Sequence, residues 1–103
     1  MSLTKVFLHA EFQVTQPFEE IDWAPINVKM KEFPGLKSKT WLSGVGNHSV
    51  GGFYEFDSQE NAQNYIDNLL IPVTKQLGGN LSVKLFNGNV VEEASKGMDS
   101  PYY

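Results

Sequence analysis

An α+β fold with the element order β-α-β-β-α-β is predicted by three features of this 103-residue sequence. Residues 5–14 alternate apolar and mixed side chains with a period of two, the mark of a strand with one side in a core. Two further strand-like runs, 37–43 and 49–56, flank Gly44-Val-Gly46-Asn-His48, a small and polar turn cluster that joins antiparallel strands. Apolar residues at spacings of three and four fill the stretches 23–33 and 62–77 between the strands. The order is the ferredoxin-like arrangement, an antiparallel sheet with helices on one face.

Composition bounds the function. The length gives a single domain over 1–103, with a core at about 4–86 and a C-terminal arm or tail at about 87–103. Hydrophobic residues at 41% and charged residues at 19% place the chain outside the disordered class. A net charge of −4 argues against a general nucleic-acid binder. With no cysteine, thiolate nucleophiles and Cys-ligated zinc are excluded, and His9 and His48 alone make no dedicated metal site. Neither metal nor other cofactor is expected. No apolar run approaches the roughly 20 residues that span a bilayer, and no signal-peptide pattern is evident; membrane partners are not expected, and the expected location is the cytoplasm.

In the first strand Val6, Leu8, Ala10, Phe12 and Val14 form an apolar face, and Phe7, His9, Glu11 and Gln13 a mixed one. Thr15-Gln-Pro17 breaks it. Asp22 then reads as the N-cap of a helix with Pro25 in its first turn and Trp23, Ile26, Met30 and Phe33 as its stripe. Pro34-Gly35 ends it, and the hairpin follows. Asp57-Ser-Gln-Glu60 reads as a capping box with Asp57 as N-cap. Ala62, Tyr65, Ile66, Leu69, Leu70, Val73 and Leu77 continue that helix, which Pro72 should kink or divide by pushing Ile71 away from helical angles. Leu81, Val83 and Leu85 alternate through a fourth strand up to the Asn87-Gly88 turn. Val90-Val91 either adds a short fifth strand or begins an arm. The tail ending in Pro101-Tyr-Tyr103 is either frayed or held by a partner.

One sheet face is left without a helix. Regular alternation puts Phe7, Trp41, Phe53 and Phe86 on it, together with His9, Lys39, Glu55 and Lys84. So many rings among ionisable groups predict a homodimer in which two sheets meet face to face.

Pro34-Gly35, Lys39-x-Trp41, Asn47-His48-x-x-Gly51-Gly52-x-Tyr54-x-Phe56 and the later Ala62 and Tyr65 together resemble the YdhR-type monooxygenase family. The resemblance implies a dimeric α+β barrel, similar to the antibiotic-biosynthesis monooxygenases. It also implies oxidation of aromatic polyketide or quinol-like compounds by molecular oxygen with neither metal nor flavin.

Such chemistry needs a substrate that can itself reduce oxygen once deprotonated, a base for its proton, and a flat, dry slot. His48 is the first candidate for the base, since imidazole titrates near neutrality. Trp41 is a candidate wall whose indole N–H would meet a substrate oxygen, and Tyr54 a partner for a phenolate. Lys39, Tyr65, His9 and Phe56 complete the expected substrate-binding set. Each also has a structural reading: a solvated turn histidine, core or interface rings, a polar cluster of His9, Glu11 and Lys39. Trp41 and Tyr54 would share a cavity only if a bulge shifts the strand phase, and Gly51-Gly52 is a plausible place for one.

The function that follows is a cofactor-independent monooxygenase acting on a small aromatic, phenolic or quinol-like compound. The alternatives are a non-catalytic homodimeric small-ligand-binding or stress-related protein, or a proton-transfer isomerase. A cavity below roughly 300 Å³ would favour the non-catalytic alternative.

Overall fold

The computed structural model describes residues 3–103. Its strands β1 (Val6–Val14), β2 (Leu36–Ser43), β3 (Ser49–Phe56) and β4 (Gly78–Asn87) form one sheet in the order β2-β3-β1-β4, with every pairing antiparallel. Helix α1 (Trp23–Lys31) follows a short 3₁₀ turn at Phe18–Glu20. Asp22 is its N-cap residue but makes no capping hydrogen bond. Gly35, at φ 81°, turns the chain into β2 at an angle other residues adopt only under strain.

Helix α2 (Gln59–Tyr65) is capped by Ser58 rather than Asp57. The Ser58 hydroxyl accepts from the Asn61 N–H at 3.1 Å, and Asp57 instead receives the Asn61 side-chain amide at 2.8 Å. A π-helical turn, Ile66–Leu70, then leads into α3 (Ile71–Leu77) with Pro72 in its first turn. The Ile71 N–H donates five residues back, to Ile66. This widened turn absorbs the donor that Pro72 lacks, so Ile71 keeps helical angles (φ −63°, ψ −49°) instead of leaving them. Beyond β4, Val90 and Val91 form no fifth strand but lead into the short helix α4 (Glu92–Lys96), where Glu92 pairs with Lys96 at 2.7 Å. Among the described residues no helix is long and apolar enough to cross a membrane.

The core lies between the sheet and the helices, with Val6, Leu8, Ala10, Tyr54 and Phe56 from the strands meeting Met30, Ala62, Tyr65, Ile66, Leu69 and Leu70. A departure from simple alternation in β2 decides what else reaches it. The β2–β3 register shifts between Leu36 and Ser38, so that Leu36 lies opposite Phe56, Lys39 opposite Tyr54, and Trp41 opposite Gly52. One extra residue in β2 inverts the phase of all that follows, which moves Lys39 and Trp41 from the helix-free face to the helix-covered one. The bulge is in β2. Gly51 and Gly52 are paired without interruption on both sides.

The helix-free face is not bare. The chain's own tail returns to cover part of it: Tyr102 packs on Phe7 at 5.8 Å and Phe53 at 5.3 Å, and Tyr103 on Phe7 at 6.0 Å. The Tyr103 hydroxyl donates to the Gly88 carbonyl at 2.5 Å. Phe7 is therefore 7% exposed while Phe86, beyond the tail, is 48% exposed. Glu55 is also buried here, against Lys5 at 3.0 Å and Lys37 at 3.7 Å.

Candidate active site

Placing Lys39 opposite Tyr54, with Trp41 one pleat further along, sends a lysine side chain into apolar surroundings beneath α1 and α3. Its Nζ lies 3.2 Å from the Trp41 ring centroid and 4.9 Å from that of Tyr54, and donates to the Met30 sulfur at 3.3 Å. Among the described residues no carboxylate pairs with it; the ion pairs are made by Lys5, Lys37 and Lys96. Burial disfavours the charged form and lowers its pKa from 10.5 to about 7.

Trp41 is held from two directions. Its indole N–H donates to Asn27 Oδ1 on α1 at 2.9 Å, and Phe18 packs on its ring at 5.5 Å. The N–H expected to meet a substrate is thus engaged, and the ring is covered by the Lys39 amine. Tyr54 is fully buried, its phenol pushed up to about 12 by burial. Tyr65 stands behind it at 5.1 Å, its buried hydroxyl making no hydrogen bond among the described residues, and burial, with Tyr54 beside it, raises its pKa too. Phe56, wholly buried against Tyr65 at 5.3 Å, packs the core next to the site.

The glycines have separate reasons. A methyl group at Gly52 would lie 2.7 Å from Lys39 Cε and 2.9 Å from the Tyr54 ring, so glycine leaves room for that pair. A methyl group at Gly51 would meet the Ala10 backbone.

The slot itself is small. Lined by Ala10, Phe12, Ile26, Met30, Lys39, Trp41, Tyr54, Leu70 and Val73 among others, it has about 20 Å³ free, space for about one water. An outer pocket of about 190 Å³, bordered by Asn27, Lys31 and Lys37, shares Lys39, Trp41 and Met30 with it. Those three side chains form the partition between the two.

His48 is exposed in the hairpin turn and lines a separate, polar depression of about 350 Å³ with Glu11, Gln13, Asn47 and Asn80. His9 lies on the helix-free face, between the Phe53 and Lys84 positions of the neighbouring strands. The structure therefore gathers Lys39, Trp41 and Tyr54, sets Tyr65 and Phe56 behind them, and leaves both histidines elsewhere. Sequence reasoning missed Asn27 and Met30 as site residues. Met30 was visible only as part of a helix stripe, and nothing distinguished Asn27. Among the described residues no three metal-ligating side chains converge.

The family model described as putative mono-oxygenase ydhR matches residues 7–99. No curated protein matches the chain. Among solved structures the fold is similar to that of the monooxygenase ActVA-Orf6 of Streptomyces coelicolor in complex with nanaomycin D. The TM-score is 0.58 at 15% identity, over 82% of this chain and 87% of that one. It is also similar to SnoaB, a cofactor-independent oxygenase from Streptomyces nogalater, with a TM-score of 0.60 at 18% identity over 81% and 91% of the two chains. A third likeness is to NE2512 from Nitrosomonas europaea, a protein of unknown function, with a TM-score of 0.62 at 14% identity over 84% and 90%.

Proposed function

Since the chain belongs to the YdhR mono-oxygenase family, we propose that it is a cofactor-independent monooxygenase acting on a small phenolic or quinol-like aromatic at the Lys39–Trp41–Tyr54 slot. The observation that carries this reading is the Lys39 amine on the Trp41 ring, in an apolar setting and without a counter-ion among the described residues. The cofactor-independent oxygenase SnoaB and the monooxygenase holding nanaomycin D share the fold and support the reaction class.

In this reaction a phenol with a free ring C–H loses that hydrogen and its O–H hydrogen. One atom of dioxygen enters as the new quinone C=O, and the other leaves as water. The substrate supplies all four electrons. The protein's share is to bind the ring flat on Trp41, exclude water, and stabilise the phenolate from which the first electron departs. Two copies joined through their helix-free faces would complete a closed barrel, with Phe86, Val90 and Val91 forming the apolar surface still uncovered there.

One observation favours the second reading, a non-catalytic ligand-binding protein: the slot's free volume of about 20 Å³ is far below that of a ligand pocket. Oxygen uptake with a panel of hydroquinones and naphthols, in the presence of a chelator, separates the two. The monooxygenase reading expects one dioxygen consumed for each quinone formed from a phenol. Binding of these aromatics with no uptake above buffer would leave the second reading standing.

A further inference from the structure

Resting on that reading of the slot, we propose that Lys39 is the catalytic base: its free amine takes the O–H proton of a phenolic substrate, and the ammonium so formed holds the phenolate against Trp41. In this step the phenol O–H bond breaks and an N–H bond forms at Lys39 Nζ. No other reactant is required.

The argument begins with what surrounds the amine. Tyr54 faces it from β3, with Tyr65 of α2 behind, and both are neutral phenols at physiological pH. Lys31 of α1 and Lys37 of β2 border the outer pocket and carry the same sign as a lysine ammonium. β1 contributes Ala10 and Phe12, and α3 contributes Val73 and Leu77, none of them ionisable. Glu11 of β1 lines the separate depression beside His48 and Glu55 of β3 is taken by Lys5 and Lys37, and no carboxylate lines the slot or the outer pocket to retain a proton on Nζ. Burial accordingly holds the amine's pKa at about 7, which leaves a substantial fraction as free base at neutral pH.

A neutral amine and a neutral phenol can share an apolar slot without carrying net charge into it. Transfer of the proton then creates an ion pair in contact, whose mutual attraction offsets the cost of forming two charges in an apolar setting. The anion that must give an electron to oxygen is thereby made at the place where it is used. His48 offers no such arrangement, because it stands in the turn and outside the slot.

Reach follows from the partition. Lys39 borders both the outer pocket and the slot, so rotation of its flexible stem opens one to the other and gives a planar guest the Trp41 face. The missing side chain at Gly52 leaves the stem that freedom.

The test is anaerobic binding of 4-cyanophenol, whose phenol and phenolate forms differ in ultraviolet absorption, to the wild type and to Lys39→Met and Lys39→Arg. The measurements are made at a pH where the free probe is largely protonated. The expected result is bound phenolate in the wild type, bound neutral phenol in Lys39→Met, and phenolate again in Lys39→Arg, whose permanent positive charge favours the anion. Neutral phenol on the wild type would overturn the assignment without help from either variant, as would phenolate of equal extent in the wild type and a folded Lys39→Met. Oxygen uptake that survives such a result would show that only the base is misassigned. No binding to the wild type would remove the slot itself, and the proposed function with it.

Discussion

The Lys39 amine stands 3.2 Å from the centroid of the Trp41 ring, two residues along the same strand. A cation over an indole gains up to about 2 kcal/mol when desolvated. Burying an ammonium with no counter-ion costs several kcal/mol. The cost is the larger, so Lys39→Met, which keeps most of the volume, should raise stability at pH 7 by about 1–3 kcal/mol. Urea unfolding measures this, and a destabilised Lys39→Met would mean that the attraction to the ring prevails.

The same imbalance fixes the pH dependence. An unfolded lysine binds its proton up to its ordinary 10.5, whereas folded Lys39 releases it near 7, so between those values the unfolded state holds more protons. Stability should therefore rise as pH goes from about 7 toward 10, by on the order of a few kcal/mol. Tyr54 acts in the opposite sense. Its folded pKa of about 12 lies above the ordinary 10, so the stability it contributes is lost as pH climbs from 10 through 12. Urea midpoints across this range should form a maximum near pH 10 in the wild type, and the rise should be absent from Lys39→Met.

Asn27 holds Trp41 through the indole N–H at 2.9 Å. Its replacement by Ala leaves a half-buried donor unpaired, at a cost of about 1 kcal/mol. The expected signature is a loss of that size in unfolding free energy, with greater quenching of the Trp41 fluorescence by acrylamide. Unchanged quenching would show that Phe18 alone keeps the ring in place.

Tyr65 carries a buried hydroxyl that makes no hydrogen bond among the described residues. Removing such a group relieves its desolvation, so Tyr65→Phe should be neutral or stabilising by up to about 1 kcal/mol in thermal or urea unfolding. A clear destabilisation would show that the hydroxyl is bonded in solution.

The strands were legible because β1 and β3 alternate cleanly, with Val6, Leu8 and Ala10 facing Tyr54 and Phe56 in one core. Residues 39 and 41 were placed on the other face because a bulge at Lys37 leaves no trace in residue type: Leu36, Lys39 and Trp41 can be set on one side only once the pairing is known. The helix division at Pro72 was expected, but its form was not. A π-turn is a property of the backbone hydrogen bonds, and Ile66 to Leu70 are ordinary helix residues. His48 drew attention by its chemistry, yet the Gly44–His48 turn carries it away from the helices. Lys39 was expected among the substrate-binding residues but on the helix-free face, and its burial away from carboxylates shows only once the β2 pairing is known.

Oxygen uptake in the presence of an active quinol, compared between Lys39→Met and His48→Ala, tests most directly that the Lys39–Trp41–Tyr54 slot is the site. The account predicts a fall of at least 100-fold for Lys39→Met, in line with the contribution of a general base, and a rate within about twofold of the wild type for His48→Ala. Loss of uptake in His48→Ala with a normal rate in Lys39→Met would contradict it.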